Sequence, residues 1–288
     1  MDRDTKTLFT GSMEFRVEDP ELGISFPVLV QYPTETPAVP TAFGPYMMDV
    51  SSDADLSVGE FPLVVISHGN GGSHLLYRTI STHLSKNGYI VAMPEHYGNN
   101  RNNNELENTR ANLINRPKHV SMTIDGILSS ERFGKSVRAD RIAVIGHSMG
   151  GYTALALAGG VPWTKEGERV ETPTDSRLRA IVLMAPGAGW FLNSLRKVTI
   201  PILLFAAEHD PITPGWNSDI VLNGVPDRSQ VLFRTASNAG HFSFLSPFPP
   251  ALKNRNFPPS VDPDGFDREE FHRKLPAEIL KFLDEKLT

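Results

Sequence analysis

The sequence predicts an α/β fold: a mainly parallel central sheet flanked by helices, in one domain over residues 1–288, with no large cap domain. Short β-branched and apolar runs alternate with longer amphipathic stretches, which is the pattern of βαβ units. The runs 61–67, 141–146, 179–185 and 201–207 are apolar almost throughout, as strands covered on both faces must be. No repeat, heptad pattern or polar linker divides the chain.

Residues 12–17 and 25–32 read as two strands joined by the turn-rich 18–23. The proline-bearing stretch 33–60 reads as a surface loop. The strand 61–67 runs into His68-Gly69-Asn70-Gly71-Gly72. A helix over 74–87 is ended by Gly88, and a strand follows at 89–93. Residues 98–116, rich in Asn and Arg, read as a polar surface segment, either a solvated loop or a lid over an entrance. A helix from about Pro117 to Ser130 carries Val120, Ile124, Ile127 and Leu128 on one face. The strand 141–146 turns at Ser148 into an Ala-rich helix over 152–158, and strands follow at 179–185, 201–207 and 230–235. The proline-rich stretch 245–267 reads as a long loop. A closing helix over 269–287 has Phe271, Leu275, Ile279, Leu280 and Leu283 on its apolar face.

The bulk composition narrows the function classes. The 288 residues are 40% hydrophobic and 21% charged, with a net charge of -5 and no basic block, which argues against a nucleic-acid partner. The absence of cysteine excludes disulfides, thiolate metal sites and a cysteine nucleophile. No cofactor or metal is expected. The start of the chain, MDRDTKTLFTGSMEF, has no apolar h-region, and the longest apolar runs are far too short to span a bilayer. The expected location is cytoplasmic, with the mature form of an exported protein as the alternative.

The chemistry centres on Gly146-His147-Ser148-Met149-Gly150. With 23 glycines in the chain, G-x-S-x-G arises by chance in roughly one chain in ten, so its context must decide. A buried strand precedes it, a helix follows it, and small residues flank the serine, as a nucleophile on a tight turn requires. A serine hydroxyl needs a base, and the expected order along the chain is Ser, acid, His. His209, His241 and His272 lie downstream. His272 sits in the closing helix and reads as a surface residue, and His209 adjoins the acid candidates. His241, in the small-residue turn Asn238-Ala239-Gly240-His241-Phe242, is the expected base. Glu208 and Asp210 both follow the strand 201–207. Asp210 stands farther past its end with Pro211 behind it and is favoured, leaving Glu208 as a structural alternative. Two backbone N–H groups are expected to receive a developing oxyanion: that of Met149, and that of Asn70 with Gly71 as second choice.

Several stretches carry a resemblance. Residues 61–98, with Ser67-His68-Gly69-Asn70-Gly71-Gly72, Lys86-Asn87-Gly88-Tyr89-Ile90-Val91-Ala92 and Pro94-Glu95-His96, resemble the plasma-type platelet-activating-factor acetylhydrolases. The same stretches, with 115–125 and Ala239-Gly240-His241-Phe242-Ser243-Phe244-Leu245, resemble bacterial proteins called predicted dienelactone hydrolases. The resemblance implies an α/β-hydrolase fold and ester hydrolysis through Ser148, Asp210 and His241. This chain departs from true dienelactone hydrolases, which use a cysteine nucleophile.

The expected substrate is a small ester with a short-to-medium acyl group. An amide, a lactone or a phospholipid acetyl group is the alternative for the same triad, and a non-catalytic binding protein is the alternative of another class. Trp190, Phe191, Trp216, Phe242 and Phe244 follow strand ends on the side of Ser148. They read either as lining an apolar pocket or as ordinary core and rim packing.

Overall fold

Strict alternation along the central strands sets the architecture. In the computed structural model, which describes residues 7–192 and 194–287, Leu63 and Val65 of β5 (Phe61–Ser67) face one hydrophobic layer and Val64 and Ile66 the other. β7 (Val137–His147) divides in the same way, Ile142 and Val144 against Ala143 and Ile145. A strand with apolar partners on both faces has no polar side to show, hence the near-continuous apolar runs. The charged start of the chain, Met1–Lys6, on which the expected lack of a leader partly rests, lies outside the described residues.

The remaining strands are β1 (Phe9–Asp19), β2 (Ile24–Thr34), β3 (Val39–Phe43), β4 (Tyr46–Ser52), β6 (Ile90–Pro94), β8 (Leu178–Met184), β9 (Ile202–Ala207) and β10 (Val231–Ala236). They form one ten-stranded sheet in the order β10-β9-β8-β7-β5-β6-β2-β1-β4-β3. From β6 through β10 every pairing is parallel, whereas β2 joins β6 antiparallel and β1 joins β2 as a hairpin.

Helices cover both faces. α2 (Arg110–Ser129), α3 (Met149–Leu157) and α4 (Trp216–Gly224) pack on one layer through Val120, Ile124, Ile127, Tyr152, Leu155 and Val221. α1 (Arg78–Lys86) and α5 (Arg268–Lys286) pack on the other through Ile80, Leu84, Leu275, Ile279 and Leu283. Gly88, at φ 88°, follows the C-cap of α1, where a left-handed residue lets the Tyr89 N–H return to Leu84 O. The β8–β9 connection holds only a short 3-10 turn, Ala188–Trp190, so no cap domain is inserted there. No helix among the described residues is long and apolar enough to cross a membrane.

Two expectations are corrected, and one helix was not anticipated. The stretch 33–60 is not all loop: β3 and β4 form a hairpin, and Tyr46, Met48 and Val50 bury every second side chain. Its prolines masked that period-two signal. Helix α2 begins at Arg110, capped by Thr109, rather than near Pro117. Pro117 lacks the N–H that would bind the Leu113 carbonyl, and the Tyr152 hydroxyl fills that place at 2.9 Å, so the helix runs through it. α4 was not anticipated, because Ile220, Val221 and Leu222 form one consecutive run rather than a helical spacing, and Gly215 and Gly224 bound it.

Candidate active site

Ser148 stands at the joint between β7 and α3 with φ 54° and ψ -117°, a conformation that costs energy for a residue with a Cβ. The surroundings hold it there. Its N–H donates to Met184 O at 3.0 Å, and its carbonyl accepts from Gly151 and Gly187 N–H at 2.9 and 2.8 Å. Glycine is required on both sides of this turn. A Cβ at Gly146 would strike the Gly150 carbonyl, and one at Gly150 would strike the Ser67 carbonyl of β5. Met149 opens α3, so its N–H lies in the first turn, where no helical carbonyl is available.

His241 and Asp210 meet 2.8 Å apart, Nδ1 to Oδ2, both buried. With an acidic partner at Nδ1, the imidazole carries its proton there and leaves Nε2 free to accept. Asp210 is itself fully engaged: Oδ1 accepts from Ile212 and Thr213 N–H at 2.8 Å each, and Oδ2 lies 2.7 Å from Thr213 Oγ1. Burial pushes this carboxyl up, but hydrogen bonds from His241 and Thr213 outweigh it and hold the group at about 2. Glu208 points elsewhere, accepting the Asn238 N–H at 2.8 Å from an exposed position.

A buried bridge connects the three segments of the site. The Gly69 N–H donates to the Tyr77 hydroxyl at 3.2 Å, and Tyr77 bonds His147 Nδ1 at 3.0 Å. His147 Nε2 lies 2.9 Å from the carbonyl of His241. A carbonyl only accepts, so Nε2 carries the proton, Nδ1 accepts, and Tyr77 donates to it. Burial lowers His147 to about 3, which keeps that tautomer neutral over the ordinary pH range.

The loop after β5 rests on a polar platform. Gly69 spends its N–H on Tyr77, and the Asn70 N–H has no acceptor among the described residues. The Asn70 side chain accepts from Asn99 at 2.6 Å and donates to Glu107. Arg116, only 1% exposed, donates to His68 O, Asn99 Oδ1 and Thr153 Oγ1, tying the loop to α3. The buried guanidinium has only neutral acceptors, and burial lowers it to about 9.

Ser148, His147 and His241 line a cleft of about 570 Å3, within the usual range for small-molecule sites. Its walls include Leu76, Phe242, Leu245, Phe248 and Phe257.

The sequence profile of the family described as chlorophyllase matches residues 46–204, more than half of the chain. The chain belongs to the chlorophyllase family. This family member is 26% identical to cutinase est1 of Thermobifida alba over 184 residues, covering 62% of the chain and 53% of the relative. It is 27% identical to the platelet-activating factor acetylhydrolase of Bos taurus over 157 residues, covering 39% of the chain and 35% of the relative. The chain thus spans about half the length of the cutinase and less of the acetylhydrolase. A solved ferulic acid esterase from Streptomyces cinnamoneus superposes with a TM-score of 0.71 at 18% identity, covering 100% of this chain and 92% of that one. That likeness bears on the fold, which is the α/β-hydrolase fold.

Among the sequence-predicted residues of this chlorophyllase-family chain, Ser148, Asn70, His241 and Phe242 line the cleft, Met149 opens the helix behind Ser148, and Asp210 lies behind His241. Trp190, Phe191 and Trp216 lie outside the cleft lining. Phe191 is fully buried against Tyr152, the Trp190 ring also meets Tyr152, and exposed Trp216 lies against Gly189. Phe244 is likewise core, packed on Phe271. His272 is not a surface residue: Thr79 Oγ1 and Ser243 O bind its two ring nitrogens at 2.8 and 3.0 Å. Of the stretch 98–116, residues 98–109 are a turn-rich, largely exposed segment in which Asn99, Asn104 and Glu107 bond one another and Asn70, and the rest belongs to α2. Sequence reasoning missed Tyr77, Thr213 and Arg116. It also missed the 245–259 stretch, which supplies Leu245, Phe248, Leu252, Phe257 and Pro259 to the cleft wall.

Proposed function

We propose that this chain is a carboxylic ester hydrolase working through Ser148, His241 and Asp210. The observation that carries the reading is the His241–Asp210 pair at 2.8 Å beside a serine held in strained backbone geometry, with serine and histidine on one cleft.

In this reading His241 Nε2 takes the proton of the Ser148 hydroxyl as Oγ attacks the ester carbonyl. Asp210 fixes the tautomer and stabilises the imidazolium without taking the proton. The tetrahedral oxyanion is received by the Met149 and Asn70 N–H groups. His241 then returns the proton to the leaving alcohol, leaving an acyl-enzyme, and water repeats the sequence to free the acid. The names of the matched relatives, two cutinases and an acetylhydrolase, support an ester as the substrate class. The apolar wall formed by Phe242, Leu245, Phe248 and Phe257 favours a short-to-medium acyl chain.

The test is a p-nitrophenyl ester series from acetate to decanoate, run on wild type and Ser148→Ala. The reading expects turnover to peak at a short-to-medium chain and to be lost in Ser148→Ala with the circular dichroism spectrum unchanged. Retained turnover in the variant would contradict it.

A further inference from the structure

The cleft beside Ser148 is apolar over much of its wall, yet one end carries an arginine that makes no ion pair among the described residues; Glu95, which does not line the cleft, acts on its charge without pairing with it. Arg101 lines that end from the tip of a turn whose backbone is pinned. Its N–H donates to Gly72 O at 2.8 Å, and Asn100 Oδ1 accepts from Asn102 and Asn103 N–H at 2.9 and 3.0 Å. Asn100 also donates to His96 O at 2.8 Å. The asparagines that make this segment look like solvated loop therefore build a mount. The Arg101 guanidinium forms no ion pair or hydrogen bond among the described residues.

The same cleft is lined by Tyr46, 4% exposed, the first residue of β4. Arg78 covers the Tyr46 ring from behind, 4.3 Å from its centroid. Among the described residues Arg78 donates to the backbone carbonyls of Leu75 and Pro247 and forms no ion pair with a carboxylate. Burial pushes the Tyr46 phenol above its usual value, while the charges of Arg78 and Arg101 both pull it back. Among the described residues no Asp or Glu lines the cleft.

A guanidinium with no direct ion pair at the edge of an apolar cleft is suited to receive an anion, because its planar donors match a carboxylate in pairs. We infer that Arg101 and the Tyr46 hydroxyl, backed by Arg78, form an anion subsite that selects esters bearing a carboxylate away from the scissile bond. The inference rests on the ester-hydrolase reading for its substrate class, and adds to it the charge of that substrate.

Two matched pairs test it: mono-4-nitrophenyl adipate against 4-nitrophenyl hexanoate, and 4-carboxyphenyl hexanoate against its methyl ester. The readout is the ratio of kcat/KM, charged over neutral, after subtraction of spontaneous hydrolysis. In at least one pair Arg101→Ala should lower that ratio about tenfold, through KM, because a hydrogen bond to a charged group is worth about 1.5–3 kcal/mol. Arg101→Lys should keep part of the ratio, and added salt should reduce it in wild type. Equal ratios in wild type and Arg101→Ala for both pairs would overturn the subsite. Calorimetric binding of the four esters to Ser148→Ala reads the subsite independently of turnover. Tighter, Arg101-dependent binding of a charged ester supports it, and equal affinities within both pairs overturn it. If wild type hydrolyses none of the four, the hydrolase reading fails and the binding arm still decides the subsite.

Discussion

His147 donates its Nε2–H to the carbonyl of His241 at 2.9 Å, so the residue before the nucleophile holds the backbone of the proposed base. The same ring accepts from Tyr77, which in turn accepts from Gly69. The elbow, the histidine loop and the loop carrying Asn70 are thereby held by one buried chain of hydrogen bonds.

Tyr77→Phe removes the hydroxyl at the centre of that chain and leaves the Gly69 N–H and His147 Nδ1 without partners. A buried group left unsatisfied costs about 1–3 kcal/mol. Urea unfolding should show a loss in that range. kcat should fall by more than KM rises, because the displaced groups frame the transition state rather than the bound ester. Unchanged stability and kcat would show that the bridge holds nothing in place.

The two acids after β9 separate cleanly. Asp210→Asn should lower kcat by about 10⁴-fold with the fold intact, since an amide supports the wrong imidazole tautomer. Glu208→Gln should stay within a fewfold of wild type, because Glu208 serves Asn238 from an exposed position. Steady-state kinetics on the two variants checks this, and the reverse order would place the acid at Glu208.

Much of the fold was legible because strands buried on both faces leave continuous apolar runs, and β5, β7, β8 and β9 all do so. That Ser148, Asp210 and His241 come together at one end of the sheet was legible because each follows a strand. What sequence could not show are the side chains whose roles exist only across long separations. Tyr77 meets His147 70 residues away, and Arg116 reaches His68 O across 48. Pro117 misled for the same reason: the Tyr152 hydroxyl that rescues its helix lies on another element.

Buried neutral histidines should make stability depend on acid. Burial lowers His119 and His272 to about 4 and His147 to about 3, and lowers His68 and His96 well below the ordinary 6.5. Below pH 6.5 the unfolded chain binds protons that the folded chain refuses. Stability is therefore complete above that pH and falls as pH drops toward about 4. Each such histidine contributes a slope of about 1.4 kcal/mol per pH unit. Both ring nitrogens of His119 lack partners among the described residues, so His119→Leu removes one titration without removing a hydrogen bond found there. Urea unfolding across this range should show a shallower slope in that variant; parallel curves would contradict the assignment.

The central claim is that Ser148 is the nucleophile, and covalent trapping tests it most directly. Wild type treated with a fluorophosphonate, digested and read by mass spectrometry should carry one adduct, on the peptide containing Ser148, with hydrolysis of p-nitrophenyl esters lost in parallel. His241→Ala should label far more slowly. An adduct on another residue, or full ester hydrolysis by protein whose Ser148 is modified, would contradict the account.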